Sequence, residues 1–216
     1  MSSKKPNNLS HLFRAAQRSP EVCGVMNAIL SKKNPVTILL EGSAYFVNID
    51  ILDNLLSQRK QSGDSIVLID ISAPTVLGYI QHIQKRFPNK NYHAVLGDMN
   101  ALPVTNNSID LAIHNFTINF NITNRNDAQT LLEIKRVMKP ARSACLFSVG
   151  ILIHPNNIRS YSSFSGVAVL NESESYYESL FLRVGLRYKK FDSSNNRSAF
   201  PYNRYILQPH ETTSPN

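Results

Sequence analysis

Leu96-Gly-Asp-Met-Asn-Ala-Leu-Pro103 and, just after it, Asn106-Asn-Ser-Ile-Asp-Leu-Ala-Ile-His-Asn115 decide the fold of this chain. The first stretch closes an apolar run with an acid, Asp98, and passes into a polar loop that ends in Leu-Pro. The second opens a new buried run at Ile109 and holds it to Asn115. Working outward, the same form recurs in Val36 to Glu41 and in Ser65 to Asp70, both ending in an acid, and in Ala144 to Val149 without one. Strands that are apolar along their whole length are buried on both faces, as in a parallel sheet covered by helices.

The segments between these runs are long enough for crossover helices. Ile49 to Lys60 places Ile49, Leu52, Leu55 and Leu56 on one side. Ala73 to Phe87 does so with Val76, Leu77, Ile80 and Ile83, and Ala128 to Met138 with Leu131, Leu132, Ile134 and Val137. Strand and helix in alternation mark a doubly wound α/β domain. Ser175 to Val184 reads as a last helix, Leu186 to Phe191 as a sixth strand, and Tyr202 to Leu207 as a seventh that ends the sheet. The expected architecture is a seven-stranded, mostly parallel sheet preceded by N-terminal helices.

Those helices lie at Leu9 to Arg18 and from Val22 to Leu30, the second opened by Ser19-Pro20 and stopped by Asn34-Pro35. They are expected to cap the edge or mouth of the domain. The resulting division is a helical extension over 1–34, the α/β domain over 35–210 and a tail over 211–216.

Of 216 residues, 42% are hydrophobic and 18% charged, the balance of a globular chain rather than a disordered one. No run of about 18 apolar residues occurs, so no transmembrane helix is expected. Residues 1–8 lack an apolar signal core, which points to a cytoplasmic protein. Cys23 and Cys145 stand far apart in apolar surroundings and read as buried, reduced thiols, with no Cys-x-x-Cys pair to suggest zinc or redox chemistry. The net charge is +8. Lys4, Lys5, Arg14 and Arg18 make an early basic group, and Arg183, Arg187, Lys189, Lys190, Arg197 and Arg204 a late one. A positive field favours anionic partners such as RNA or nucleotides, although these charges are scattered.

Ligands of open parallel sheets bind outside the carboxyl ends of the strands, where the strand order reverses. Glu41, Asp70 and Asp98 each end an apolar run and so line one edge of the sheet, a pattern that suits a nucleoside-like ligand.

These residues carry a resemblance. The chain is similar, over roughly residues 36 to 150, to class I S-adenosylmethionine-dependent methyltransferases of the ubiquinone/menaquinone type. Leu132-Glu-Ile-Lys-Arg-Val-Met-Lys-Pro140 resembles that family's helix leading into the fifth strand. The resemblance implies S-adenosylmethionine as cofactor. It implies Asp70 as acceptor for the ribose hydroxyls, with Ile71 against the adenine. Asp98 would accept from the adenine amino group, with Met99 behind it. Glu41, Gly42 and Ser43 would form the loop around the methionine part, and Asn115 the polar end of the fourth strand. The family pattern acid-x-Gly-x-Gly-x-Gly is degenerate here: Ser43, Tyr45 and Val47 stand where glycines are expected. Tyr45 and Val47 disfavour positive φ and could fill the pocket. Asn115 is not followed by Pro-Pro-Tyr, which argues against methylation of exocyclic base amines.

His114 and His154 fall near the carboxyl ends of strands and are the candidates for a general base, each with the alternative of a partly buried, hydrogen-bonded ring. Methyl transfer needs positioning and desolvation more than acid-base groups. The segment Ile151 to Asn171, with no clear period, is a candidate substrate cover, and Tyr176-Tyr177 reads as core and boundary packing. Three functions stay open: an active methyltransferase acting on a small molecule, a non-catalytic protein-binding scaffold, and a basic nucleic-acid-binding module.

Overall fold

The computed structural model describes residues 19–31, 34–42, 59, 63–86, 88, 91–120, 126–140, 142–151, 172–193 and 202–210. Helix α1 is Pro20–Leu30. Strand β1 (Thr37–Glu41) follows, then β2 (Ser65–Asp70), helix α2 (Ala73–Arg86) and β3 (Asn91–Leu96). Next come β4 (Leu111–Asn115), a short helix α3 (Thr117–Phe120), α4 (Asp127–Val137) and β5 (Ala144–Gly150). The chain closes with α5 (Glu174–Arg183), β6 (Leu186–Ser193) and β7 (Tyr202–Pro209). The expected helices over Leu9 to Arg18 and Ile49 to Lys60 fall on residues outside the described set, apart from Arg59.

All seven strands form one sheet in the order β3-β2-β1-β4-β5-β7-β6. β1 to β5 run parallel, and β7 pairs antiparallel with both β5 and β6. This is the expected mostly parallel sheet with one correction. β7 does not end the sheet: it inserts between β5 and β6, and β6 is the edge. Burial explains the difference. β7 keeps Asn203 through Leu207 buried, whereas β6 exposes Arg187, Lys189 and Lys190. An edge strand dressed with lysine and arginine resists pairing with another chain.

The alternation of side chains along each strand sorts the core into two layers. Ile38, Leu40, Ile66, Leu68, Ile113, Leu146 and Ile206 pack with Val22, Met26 and Ile29 of α1 and Val76 of α2. On the other face Leu39, Ile69, Ala112, Cys145, Phe147, Tyr205 and Leu207 pack with Leu131, Ile134 and Val137 of α4 and Tyr177, Leu180 and Phe181 of α5. α1 therefore covers a face of the sheet rather than capping an edge or mouth. Arg59 and Asp64 tie its end down. Buried Arg59 reaches Asp64 Oδ1 at 2.9 Å and the Leu30 and Asn34 carbonyls, while Asp64 Oδ1 accepts from Val36 N–H at 3.0 Å.

Tyr177 is fully buried and Tyr176 lies at the boundary, its hydroxyl donating to Asp127 Oδ2 at 3.2 Å, as the packing reading expects. Cys145 is buried, and its thiol is pushed well above the usual range by burial first and by the nearby Glu41 charge second. Cys23 differs from expectation: it is only partly buried, at Asn27 on the flank of α1.

The loop that decided the fold is held by one ion pair. Glu133 Oε2 accepts from Leu102 N–H at 2.8 Å. Arg136 donates to the Leu102 and Val104 carbonyls at 2.8 Å each and grips Glu133 at 2.7 Å. The Glu-x-x-Arg spacing on α4 thus clamps the Leu-Pro turn, and the Arg136 guanidinium holds the Glu133 carboxyl below its ordinary range.

Candidate active site

The strand order reverses between β1 and β4, so the carboxyl ends of these two strands flank the crevice where such sheets take ligands. Glu41 ends β1 and pairs in register with His114 on β4. Beyond β1 lie Asp70, at the end of β2, and Asp98. The structure therefore brings the three acids to one edge, with one adjustment. β3 stops at Leu96, and Asp98 sits two residues later in a turn where its Oδ1 accepts from Asn100 N–H at 2.8 Å. Gly97 precedes it in a tight place, where an added Cβ would lie 3.1 Å from Pro103 Cδ.

Asp70 is half-buried. Its Oδ1 accepts from Ser72 N–H at 2.8 Å, and burial raises its pKa against the lowering effect of the Ser72 and Ile71 backbone N–H groups. Ile71, the next residue, is 76% exposed, an isoleucine left in the open at the carboxyl end of β2. Met99 is half-buried after Asp98.

Glu41 is buried at 1% exposure. Its Oε2 meets His114 Nδ1 at 2.9 Å, and its Oε1 has no hydrogen-bond partner among the described residues. His114 is wholly buried, stacked on Phe147 with ring centroids 4.6 Å apart and planes 7° from parallel. Its Nε2 accepts from Ile118 N–H at 3.0 Å. An imidazole nitrogen that accepts carries no proton, so Nδ1 is the protonated atom and donates to Glu41. Both nitrogens are thus engaged, and neither can take a substrate proton without surrendering a buried hydrogen bond. This is the geometry of a buried, hydrogen-bonded ring, the alternative that the sequence left open for His114, and it favours a positioning role over that of a general base. His154, Ser43, Tyr45 and Val47 lie outside the described residues, as does most of the stretch from Ile151 to Asn171.

Gly42 has φ +55°, and a Cβ there would fall 1.9 Å from Thr117 Cγ2. The glycine is required by the close approach of α3, whose Thr117 hydroxyl donates to the Glu41 carbonyl at 3.0 Å. Sequence reading missed α3, because four residues are too few to show a helical period. Buried Asn119 completes this corner: its Nδ2 donates to the Gly150 carbonyl at 3.1 Å and its Oδ1 accepts from Gly150 N–H at 2.9 Å. Asn115, half-buried at the end of β4, pairs with Ser148 of β5. Phe116 after it has φ +62°, an uncommon angle for an aromatic residue, with its N–H donating to the Ser148 carbonyl at 2.8 Å.

The family profile described as a methyltransferase domain matches residues 39–145, the span from within β1 through β4 to the start of β5. This chain has the class I methyltransferase fold and matches that domain family. The profile is that of the domain at large and does not single out the ubiquinone/menaquinone type. Among curated protein sequences none matches. Solved structures do. A SAM-dependent methyltransferase from Methanosarcina mazei aligns with a TM-score of 0.64 at 11% identity, covering 89% of this chain and 99% of that one. The 1,6-didemethyltoxoflavin-N1-methyltransferase of Burkholderia thailandensis, solved with its 1,6-didemethyltoxoflavin and S-adenosylhomocysteine, gives 0.58 at 12% identity over 98% and 93%. A complex of the Haloferax volcanii Trm112 methyltransferase activator with a putative methyltransferase gives 0.59 at 14% identity over 97% and 100%. At these identities the structural matches show the fold; with the family profile they support an S-adenosylmethionine-dependent methyltransferase.

The methyltransferase-like chain offers acceptors that fit such a cofactor. S-adenosylmethionine brings donors in three places, the ribose hydroxyls, the adenine amino group and the methionine ammonium. The acceptors at this sheet edge are Asp70, Asp98 and Glu41 Oε1, the last without a hydrogen-bond partner among the described residues. A buried carboxylate oxygen without a donor is costly, and a ligand donor relieves it. Among the described residues no group of three histidine, cysteine or acidic side chains is placed to hold a metal ion, and no helix is long and apolar enough to cross a membrane.

Proposed function

We propose that this protein transfers a methyl group from S-adenosylmethionine to a small molecule. The observation that carries the reading is the half-buried Asp70 carboxylate with Ile71 exposed beside it, at the carboxyl end of β2 and next to the topological switch point. Asp70 would hold the ribose hydroxyls, Ile71 would cover one face of the adenine, and Asp98 with Met99 would take its edge. Glu41, kept in place by His114, would face the methionine part. When bound, the cofactor supplies an electrophilic methyl group on a sulfonium. The protein's part is to orient acceptor and donor in line and to exclude water, which is consistent with no evident acid-base pair among the described residues.

Calorimetry with S-adenosylhomocysteine tests this. Saturable binding in the wild type, lost in Asp70→Ala, supports it; no heat at millimolar ligand sinks it.

The comparisons do not favour the non-catalytic scaffold, whose support is the loss of glycine at Ser43, Tyr45 and Val47, all outside the described residues. A protein partner alongside activity is a separate matter: the Haloferax methyltransferase is seen with its activator. The nucleic-acid reading loses part of its basis. Of the late basic group, Lys189 pairs with Glu21, Lys190 with Glu174 and Arg204 with Asp192, so much of that charge is neutralised locally.

A further inference from the structure

One row of side chains crosses the sheet on the far side of the crevice from Asp70. Asn115 of β4 is in register with Ser148 of β5, Ser148 with Arg204 of β7, and Arg204 with Asp192 of β6. Residues in register share a face of the sheet. The row stands at the carboxyl ends of β4 and β5, one step beyond the apolar row of Ile113, Leu146 and Ile206.

Two members of this row are anomalous. Ser148 is fully buried, and its Oγ has no hydrogen-bond partner among the described residues. Arg204 is buried to 4% exposure, and its Nε–H likewise has none. Arg204 is not an abandoned charge: its Nη1 donates to Asp192 Oδ2 at 2.5 Å, and its guanidinium lies over the Tyr202 ring at 4.4 Å. That anchoring leaves the Nε side of the planar fork unmatched, directly across the strand pair from an unmatched serine hydroxyl. A packing role would be met by apolar residues at both positions, so a native chain that buries two neighbouring unpaired polar atoms calls for an explanation. The flanking wall is aromatic. Phe116, held at its positive φ by the Ser148 carbonyl, meets Tyr202 edge to face with centroids 6.1 Å apart.

We infer that Ser148 and Arg204 form the acceptor-recognition subsite of this enzyme, binding a carbonyl oxygen, most strongly that of a carboxylate, on a flat small molecule seated against Phe116 and Tyr202. The inference rests on the methyltransferase reading for the word acceptor, and on the row itself for the chemistry. Two donors, Nε–H and Oγ–H, meet one oxygen bearing two lone pairs. With Nη1 engaged by Asp192, the Nε–H of Arg204 is the donor left over, and a charge-assisted bond from it is stronger to a carboxylate oxygen than to a neutral carbonyl. The aromatic pair selects a flat body behind that group.

The test titrates benzoate, benzamide and benzyl alcohol, by ligand-observed NMR, onto the full-length protein with and without saturating S-adenosylhomocysteine. The expected order of affinity is benzoate, then benzamide, then benzyl alcohol. Ser148→Ala and Arg204→Gln are each expected to weaken benzoate about tenfold, the size of one charged hydrogen bond, while S-adenosylhomocysteine binding is unchanged. Benzoate that binds no better than benzyl alcohol, or that binds both variants as it binds the wild type, overturns the subsite. If Arg204→Gln does not fold, Ser148→Ala, which removes one oxygen, decides alone. Absence of S-adenosylhomocysteine binding with Arg204-dependent benzoate binding retained would overturn the cofactor reading and leave the subsite standing.

Discussion

His114 Nδ1 donates to Glu41 Oε2 across 2.9 Å, joining the carboxyl ends of β4 and β1 at the point where the strand order turns. The bond orients the carboxylate and leaves Oε1 open on the crevice-flanking residue. His114→Ala removes the donor to a buried carboxylate and opens a cavity against Phe147. We expect a loss of about 3 kcal/mol or more, read by urea unfolding. His114→Asn, in whatever fraction folds, should keep the pH dependence of methyl transfer. Loss of a limb titrating near neutral pH would instead restore the general-base role.

Gly42→Ala meets two penalties at once. The left-handed backbone angle costs a residue with a Cβ about 1–2 kcal/mol, and Thr117 occupies the space the methyl needs. The expected result is a lower melting temperature. Thr117→Gly in the same chain should recover the steric part and not the backbone part. A Gly42→Ala variant as stable as wild type would show that the β1 end is not held as described.

Glu133→Gln tests the clamp on the Leu-Pro turn. It weakens the grip on Arg136 and on Leu102 N–H, and the loss should be about 2 kcal/mol. Arg136 holds the folded-state pKa of Glu133 below the ordinary glutamate range. A depressed acid contributes stability that is present above its unfolded pKa and is lost as pH falls through the folded value. Wild type should therefore lose stability relative to Glu133→Gln as the pH falls through the acid range toward the lowered Glu133 pKa. Denaturant midpoints taken through this acid range check it, and parallel curves would refute it.

Burial holds the Asp70 pKa above the ordinary aspartate range. A raised acid contributes stability that is fully present below the unfolded pKa and is lost as pH rises through the folded value, the reverse of Glu133. Ligand hydroxyls bond the ionised carboxylate more strongly than the neutral acid, so S-adenosylhomocysteine affinity should fall as pH drops through the raised Asp70 pKa. Asp70→Asn should bind weakly with that pH dependence gone. Calorimetry over a pH series reads both, and an affinity flat through the acid range would count against Asp70.

Much of the fold is legible in the residues because burial on both faces leaves continuous apolar runs. Ile38 to Leu40, Ile66 to Ile69 and Leu111 to Ile113 announce parallel strands without help from any partner. The acids that follow are equally visible. The position of β7 is not, since Tyr202 to Pro209 carries no mark of which strands it will pair with. His114 illustrates the same gap at the site: its place at a strand end is in the sequence, but its two hydrogen bonds come from Glu41 and Ile118. Ser148 and Arg204 were missed. The signal available was a polar residue inside each of two apolar runs, and nothing local says that the two meet.

The chain by itself determined its strands, its main helices and the row of acids on one sheet edge, because periodicity and burial are properties of neighbours along the sequence. Only the tertiary structure decided that Glu41 keeps one oxygen unpaired, that Gly42 is glycine on account of Thr117, and that Ser148 faces Arg204. These are contacts between residues far apart in the chain, fixed by sheet order and register, and the energy of an unpaired polar atom exists only once its surroundings have closed around it.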